Sequence, residues 1–543
     1  MAKKNDGFIM QAGILAMAGI ICRIIGILYR SPLAAVIGDE GNGYYSSAYN
    51  IYTIILLISS YSIPSAISKV IAGKLALREY KNAQRIFHCA FIYVIAVGGI
   101  ASLFTFIMAG FPGVLVEENA ANVLRIFAPT IFFSGLLGVL RGYFQAHRTM
   151  VQTSISQILE QILNAIISIL AAYLLKQAVI EKDLTTQAIY GAMGSALGTG
   201  AGVLIALAFM WMVYGLNKEY ILRRMRKDRS KNLLSYPEIF KIIFSLVTPF
   251  ILSTFIYNFN TSLDEYVYRK ILKLVKDVDI SQIATWYGIY AGKAVVISNI
   301  PIAIASAMSA AMIPSISGKF ATGDIKGTRA KVHTAILTTM LIAIPAAVGI
   351  GVLAKPVVSF LFPGQTSLDM AAELLRALSV TVVFYSLSTL TNAVLQGIGR
   401  VNMPVINAAI ALIVQTIVLI PCLWFTDLIL YCLAIAAIVY SLLMCILNGV
   451  AVRKSLNYKQ DVLKIFILPA GASIVMGAAA YGIYNGIFSL SESNLISLIV
   501  SVIIAAIVYG ILILKMGVLT EKDILSMPKG TKLAGLLRKI HLI

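Results

Sequence analysis

Charged residues are scarce in this sequence. Only 13% of its 543 residues are Asp, Glu, Lys or Arg, against roughly 25% in a soluble domain, while 59% are hydrophobic. This balance excludes a disordered chain and an ordinary soluble enzyme. Histidine is rare as well, and the four His residues are scattered without metal-ligand spacing. The Gly-rich phosphate loop of nucleotide hydrolases is missing, so we predict that the protein is not an enzyme.

Cysteine is also infrequent, and its placement excludes several kinds of site. The five cysteines lie in apolar runs, and none has the C-x-x-C spacing of metal or redox motifs. We interpret them as small core residues and predict neither a metal nor another cofactor. They are Cys22, Cys89, Cys422, Cys432 and Cys445.

Acidic residues are few relative to basic ones, 24 against 44, which gives a net charge of +20. On a soluble protein this excess would indicate nucleic-acid binding. On a chain this apolar it indicates the positive-inside rule, by which Lys and Arg collect in cytoplasmic loops. The densest basic segment is 218–241. We interpret it as an orientation determinant and hinge, with docking of a partner or of lipid headgroups as the alternative. Nucleic acid is not an expected partner.

What the sequence has in abundance is apolar runs of about 20 residues, long enough to cross a bilayer. The first run, 8–29, lacks a cleavage site and is interpreted as a retained helix. With the N-terminus inside, the basic loops and the basic tail also fall inside, which predicts an all-α polytopic membrane protein with both termini cytoplasmic. The fourteen predicted helices are 8–29, 44–72, 86–110, 122–146, 151–175, 188–214, 240–265, 286–312, 331–353, 370–396, 402–425, 428–450, 462–488 and 494–515.

The sequence also carries a weak internal repeat. The segments 73–81 and 318–326 align without gaps at an offset of 245 residues, each follows an Ile-Pro-Ser, and each falls in a predicted inner loop. A second pair of similar turns lies at 140–148 and 392–400. A six-helix unit repeated in the same orientation predicts two parallel lobes around a central cavity, the architecture of a transporter. The predicted domains are an N-lobe over 1–235, a C-lobe over 236–455, and a terminal helix pair with a basic tail over 456–543. We expect a monomer.

These residues resemble the multidrug/oligosaccharidyl-lipid/polysaccharide flippase superfamily. The resemblance rests on the Gln-Gly-x-Gly-Arg turn at 396–400, on the Ile-Pro-Ser and Gly-Lys pattern, and on twelve helices followed by a terminal pair. The first helix, Cys22-Arg23-Ile-Ile-Gly26-Ile-Leu-Tyr-Arg30, is similar to the Ser-Arg-x-x-Gly-x-x-Arg of the stage V sporulation protein B family and of MurJ-type lipid II flippases, with the second arginine one residue late. The resemblance implies a bacterial cytoplasmic membrane protein.

Cations inside predicted spans mark the expected cavity, because a charge at the bilayer centre costs about 2.5–3.5 kcal/mol on insertion scales. We predict that Arg23 and Lys293 face a shared central cavity, one from each lobe. Arg30 and Lys69 are further candidates, for which the alternative is an interface anchor or a snorkelling side chain. Arg141 lies near a helix end and is expected to be an anchor.

Polar stripes supply the remaining candidates. Glu160 lies at the edge of a stripe formed by Gln157, Gln161 and Asn164 at i, i+4 and i+7. Asp264, Asn260 and Thr261 offer the oxygen ligands that a Na⁺ site needs, and the resemblance places an ion near the equivalent helix; an end cap or an ion pair is the alternative. The tyrosines at 44, 45 and 49 are interpreted as an interfacial aromatic belt rather than a sugar platform.

Three functions fit this pattern. The first is a flippase for an anionic polyprenyl-diphosphate-linked sugar, such as lipid II or a polysaccharide repeat unit, because buried cations suit a diphosphate headgroup. The second is a cation-coupled multidrug exporter of the same superfamily, driven by Na⁺ or protons, which favours cavity carboxylates. The third is a non-transporting factor in envelope or spore assembly. A net positive cavity favours the first.

Overall fold

The computed structural model describes residues 2–519 except Ser62, Pro112, Val114, Arg148, Gln365 and the segment 229–232. Every regular element in these residues is helical. The chain divides into two compact units, Met1–Gly292 and Lys293–Ile543. The predicted basic tail lies outside the described residues from position 520 onward.

Ten α-helices lie in the described residues of the first unit. Their bounds are α1 Ala2–Leu28, α2 Arg30–Leu56, α3 Ile63–Ala76, α4 Tyr80–Met108, α5 Glu118–Ala146, α6 Met150–Gln177, α7 Leu184–Leu216, α8 Lys218–Arg226, α9 Tyr236–Leu274 and α10 Ile280–Ile289. A π-helical turn, Leu57–Tyr61, follows α2.

The described part of the second unit, up to position 519, contains eight α-helices. Their bounds are α11 Val295–Ala321, α12 Ile325–Val352, α13 Ala354–Leu361, α14 Leu368–Gly397, α15 Asn402–Phe425, α16 Leu430–Leu456, α17 Leu468–Ser491 and α18 Asn494–Lys515. π-helical turns precede α11, at Tyr290–Ala294, and α17, at Leu463–Ile467.

Most of these helices are long and apolar enough to cross a membrane. In the described residues, eleven helices meet this length and composition requirement, and the bent pair Met17–Leu28 and Arg30–Ser59 adds a twelfth if it is one span. The two shortest predicted turns are present, since α5 ends at Ala146 before α6, and α15 ends at Phe425 before α16. The protein is therefore a multi-pass, all-helical membrane protein.

The segment 30–43 differs from the sequence prediction, which left it between two helices. It is helical from Arg30 onward, and the direction change occurs within α2 at Gly38, where φ is 71° and ψ is −179°. Only glycine adopts that backbone conformation without a steric clash. A bend of 45° separates α1 from α2. The polar, glycine-containing composition of this segment is typical of a loop, but its packing keeps it helical.

Close helix packing sets the position of α6. Three glycines of α7 face α6 at successive turns: Gly194, Gly198 and Gly202. A side chain on any of them would overlap α6, since a Cβ atom on Gly202 would lie 2.6 Å from the carbonyl oxygen of Glu160. Small residues at such a stripe let two backbones approach closely. The glycine stripe thus fixes the helix that carries Glu160.

The predicted repeat has a structural counterpart in the turns that follow α3 and α11. Lys74 pairs with Glu79 at 2.8 Å, and Lys319, 245 residues later, pairs with Asp324 at 3.4 Å. The backbone closes the same way in both turns, because the amide of Glu79 donates to the carbonyl of Lys74 at 2.9 Å and that of Asp324 to Lys319 at 3.0 Å. The hydrogen bond from Lys74, with a further one from Asn82, lowers the pKa of Glu79.

The residue before each acidic partner takes the same unusual conformation. Arg78 has φ 62° and Gly323, again 245 positions later, has φ 76°. Two turns with the same ion pair, the same backbone hydrogen bond and the same positive φ at equivalent positions are strong support for an internal repeat.

Candidate functional site

A polar cavity of about 590 Å³ lies inside the first unit. Helices α1, α2, α3, α5, α6 and α7 contribute to its wall. The charged and amide side chains that line it are Arg30, Arg141, Gln145, Gln157, Glu160, Gln161 and Asn164; its tyrosines are Tyr29, Tyr45, Tyr49 and Tyr52. A volume of this size is typical of small-molecule sites.

Three charged side chains define the electrostatics of this cavity. Arg141 on α5 pairs with Glu160 on α6, with 2.7 Å between Nη2 and Oε2. The Nε of Arg141 also donates to the hydroxyl of Ser156 at 2.9 Å, so the guanidinium is held by two groups of α6. Arg30 lines the same space. Two arginines and one glutamate give the lining a formal charge of +1.

The prediction that Arg141 is an interface anchor was therefore wrong. Its position near a helix end predicted an interface anchor, but its side chain is only 14% exposed and turns toward Glu160. Distance from a helix end does not tell which way a side chain points around the helix axis. Glu160 in the next predicted helix was a possible partner, but its sequence position alone did not show that Arg141 turns toward it.

The polar stripe predicted on α6 lies on the cavity wall. Gln157, Glu160, Gln161 and Asn164 all line it. The amide oxygen of Asn164 accepts from Ser168 at 2.9 Å and from Thr199 of α7 at 3.3 Å. These bonds orient the Asn164 side chain and leave its NH₂ group for a ligand or water in the cavity.

Tyr45, Tyr49 and Tyr52 of α2 form an aromatic wall of the cavity, and Tyr44 is buried outside its lining. The interpretation of positions 44, 45 and 49 as an interfacial belt was therefore wrong. Tyr45 is only 7% exposed and Tyr44 is fully buried. The rings of Tyr45 and Tyr49 stack at 5.7 Å, and Tyr52 stacks on Phe127 at 4.7 Å. The sequence did not reveal this, because tyrosines at a membrane interface and tyrosines in a polar cavity have similar local patterns.

The other predicted cavity residues are distributed differently. Arg23 on α1 and Lys69 on α3 are exposed and are not part of this cavity lining. Lys293, in the second unit, is fully buried; its ammonium donates to the Ser367 hydroxyl at 2.6 Å and lies 5.8 Å from the Phe362 ring centroid. Arg23 and Lys293 belong to different units, and their shared cavity stays a prediction.

The predicted ion site lies on α9. Asp264 and Asn260 are buried, whereas Thr261 is exposed. The adjacent Glu265 is hydrogen-bonded to Ser47 and Asn50 and lies 4.0 Å from Arg269, and sequence reasoning missed it. Among the described residues, no cluster of His, Cys, Asp or Glu has metal-binding geometry, and the Na⁺ site stays a prediction.

Glu265 links three helices of the first unit. It is only 3% exposed. It accepts from the Ser47 hydroxyl and, at 2.7 Å, from the Asn50 amide, both on α2. Asn50 also donates to the Tyr287 hydroxyl on α10 at 2.8 Å. Arg269, one turn along α9, was the signal in the sequence, because i, i+4 opposite charges stabilise a helix.

A glycine seam accompanies this polar link between α2 and α10. A Cβ atom on Gly43 would overlap the backbone of Ala284, and one on Gly288 would overlap the carbonyl oxygen of Asp39. A Cβ atom on Gly292 would lie 3.3 Å from the Asn42 side chain. The two backbones are therefore in direct contact, which only glycine at positions 43 and 288 permits.

Membrane-length apolar helices around a charged, polar cavity define the class: a multi-pass membrane transport protein. A family model described as "Polysaccharide biosynthesis protein" matches residues 9–320, more than half of the chain. The chain belongs to this polysaccharide biosynthesis protein family. A second model, MatE, matches residues 291–421.

Curated relatives span almost the whole chain. The chain is 25% identical over 546 residues to the "Lipid II flippase MurJ" of Bacillus subtilis (strain 168), covering 97% of each. It is 23% identical over 539 residues to the "Stage V sporulation protein B" of the same organism, covering 97% of the chain and 98% of that relative.

Solved structures share the fold. A lipid II flippase MurJ in an inward closed conformation has a TM-score of 0.65 at 18% identity and covers 92% of this chain and 97% of its own. An inward-facing multidrug resistance MATE family transporter of the MOP superfamily has a TM-score of 0.59 at 17% identity, covering 83% and 98%.

Proposed function

We propose that this protein is a flippase that translocates an anionic polyprenyl-diphosphate-linked sugar, lipid II or a polysaccharide repeat unit, across the bacterial cytoplasmic membrane by alternating access. The observation that carries this proposal is the cavity charge of +1, set by Arg30 and Arg141 against Glu160. A positive cavity fits an anionic headgroup and opposes a cationic drug.

The chemistry of the lining matches the two parts of such a headgroup. Guanidinium groups bind phosphate oxygens with two parallel hydrogen bonds. The amides of Gln157, Gln161 and Asn164 suit sugar hydroxyls, and the tyrosine rings offer apolar faces to a sugar ring. The polyprenyl chain stays in the bilayer while the headgroup crosses, since the hydrocarbon core accepts it without cost.

Similarity to characterised proteins supports the same substrate class. The relative with 25% identity is named a lipid II flippase, and the alignment covers 97% of both chains. Membrane lipids are the other expected partners, and we propose that the protein acts as a monomer.

A cation-coupled multidrug exporter is the second candidate. The MatE match over residues 291–421 and the carboxylate of Glu160 in the cavity favour it. Against it stands Arg141, which already neutralises that carboxylate at 2.7 Å. A non-transporting role in envelope or spore assembly is suggested by the sporulation relative. This role does not account for the charged cavity.

The proposed topology has fourteen spans with both termini in the cytoplasm. It consists of two parallel six-helix lobes, 1–235 and 236–455, around a central cavity, with a terminal helix pair beyond. The repeated Lys–acid turns after α3 and α11 support it, because both fall on the predicted inner side. In this topology the turn between α15 and α16 faces outward.

The membrane potential can drive export of the headgroup. Moving one charge through 100 mV is worth about 2.3 kcal/mol, so two negative charges gain at most about 4.6 kcal/mol. Na⁺ near Asp264 and Asn260, or a proton, is the alternative source for the return step. Reconstituted protein with sodium on both sides separates them: undiminished net translocation after collapse of the potential rules out the potential-driven version.

The decisive test is complementation. The chain is expressed in cells whose own lipid II flippase is depleted, beside Arg141→Ala and the matched control Arg125→Ala. Arg125 lies on the same helix but contacts Asn122 at an exposed position. We expect growth with the native chain and the control but not with Arg141→Ala. Absence of rescue by a native chain present in the membrane at equal amounts would remove lipid II as the substrate.

A further inference from the structure

Two cysteines meet at the end of the hairpin formed by α15 and α16. Cys422 lies in the last turn of α15 and Cys432 in the first turn of α16. Their sulfur atoms are 2.8 Å apart. This contact was not predictable from the sequence, since ten positions separate the two residues and both lie in apolar runs.

We propose that Cys422 and Cys432 are a redox site that forms a disulfide bond closing the outer end of the α15–α16 hairpin. A disulfide requires the sulfurs to approach about 2.05 Å, so only a small adjustment joins them. Disulfides persist outside the cytoplasm, where no thiol buffer reduces them, and the proposed topology places this turn outside. The outer placement of the two cysteines rests on the topology proposed above, whereas their contact is independent of the transported substrate.

The exposure of the two thiols sets the order of the reaction. Cys432 is fully buried, whereas Cys422 is partly exposed. The Cys422 thiolate therefore attacks the disulfide of an external oxidant, forms a mixed disulfide and releases one oxidant thiol. The Cys432 thiolate then attacks the Cys422 sulfur, forms the internal disulfide and releases the second oxidant thiol. Both protein protons leave to water or to the departing thiolates, and the oxidant takes up the two electrons.

The turn between the two cysteines contains a strained backbone conformation. Ile429 has φ 44°, an unfavourable value for a β-branched residue. Thr426 donates to the Cys422 carbonyl at 2.6 Å, and its hydroxyl lies 3.7 Å from the Cys432 sulfur. A disulfide across this short loop restricts the alternatives open to the turn, and thereby stabilises the strained backbone.

Two other cysteines provide internal controls. Cys89 is fully buried, and Cys445 is buried with its sulfur 2.9 Å from the Phe384 carbonyl oxygen, to which it donates. A site-specific reaction leaves both thiols unmodified, whereas non-specific oxidation of an unfolded chain modifies them as well.

The test first reduces the full-length purified protein and removes the reductant, then adds oxidised glutathione, blocks remaining thiols with an alkylating reagent after denaturation, and maps each cysteine by peptide mass. In the native chain we expect loss of alkylation at Cys422 and Cys432 together and a peptide pair that reappears after reduction. In Cys432→Ser the glutathione adduct should instead accumulate on Cys422, because the resolving thiol is gone. Alkylation retained at both positions, or a stable adduct on Cys422 in the native chain, overturns the proposal.

Sidedness is tested separately in intact cells. A membrane-impermeant oxidant added outside should produce the same disulfide if the turn faces outward. If the purified protein forms the bond but intact cells do not, the redox site in cells is refuted along with the outward placement of this turn, whereas the transport proposal is tested independently by complementation.

Discussion

Removing Arg141 should destabilise the first unit through its ion pair with Glu160. The two groups lie 2.7 Å apart with side-chain exposures of 14% and 30%. Exposed ion pairs contribute about 0–1 kcal/mol, while loss of one partner from a buried pair costs about 3–5 kcal/mol. This pair lies between those limits, so we expect Arg141→Leu to cost about 2 kcal/mol, roughly a 30-fold change in the unfolding equilibrium.

The pair itself is isolated by a double-mutant cycle. Arg141→Leu, Glu160→Gln and the double variant are compared by reversible unfolding in mixed micelles, with Arg125→Leu as the matched control on the same helix. If the ion pair contributes as argued, the double variant is less destabilised than the two single changes together, by about 1–2 kcal/mol. A coupling energy below about 0.5 kcal/mol, the level of independent sites, would refute the reasoning.

Glu160→Gln has a second expected effect, on ligand binding. The substitution raises the formal charge of the cavity lining from +1 to +2 and releases Arg141 from its partner. We therefore expect tighter binding of inorganic diphosphate to the purified variant than to the native protein, measured by calorimetry at fixed ionic strength. Unchanged or weaker binding would mean that this cavity does not hold the anion.

The remaining predictions concern helix packing, the cations and the topology. Gly288→Ala should destabilise the protein by about 1–3 kcal/mol through overpacking. Gly482→Ala, where the added methyl meets open space, should be neutral or stabilising. Equal melting temperatures for the two variants would contradict the direct backbone contact between α2 and α10. Replacing Arg23 or Lys293 by alanine should abolish translocation with membrane levels unchanged, and full transport by either variant removes that residue from the pathway. A reporter fused after Ile543 should be cytoplasmic. An external signal would contradict the even number of spans in the proposed topology.

The helices themselves were largely predictable, because membrane-length apolar runs are a strong signal that needs no knowledge of tertiary contacts. The helical start at Arg30 was not predictable. The segment up to Gly43 contains the glycines and polar residues of a loop, and only its packing against α7 and α10 makes it a helix. Local propensity loses to tertiary contact in such segments.

In the candidate site as well, some features were predictable from the sequence and others depended on helix packing. The stripe around Glu160 was predictable because its i, i+4, i+7 spacing places side chains on one helix face. The partner of Glu160 was not, since Arg141 lies on a different helix and its direction depends on how α5 and α6 pack. The same reason hid the contact between Cys422 and Cys432, which requires the hairpin geometry.

The duplicated turn after α3 and α11 has a consequence for local stability. A left-handed conformation costs a non-glycine residue about 1–2 kcal/mol more than glycine, and the first copy places Arg78 where the second places Gly323. The two copies therefore share a shape but not its energy. Amide hydrogens around Arg78 should therefore exchange with solvent deuterium faster than their counterparts around Gly323. The two halves of the repeat would then differ in local opening although their backbones have the same conformation.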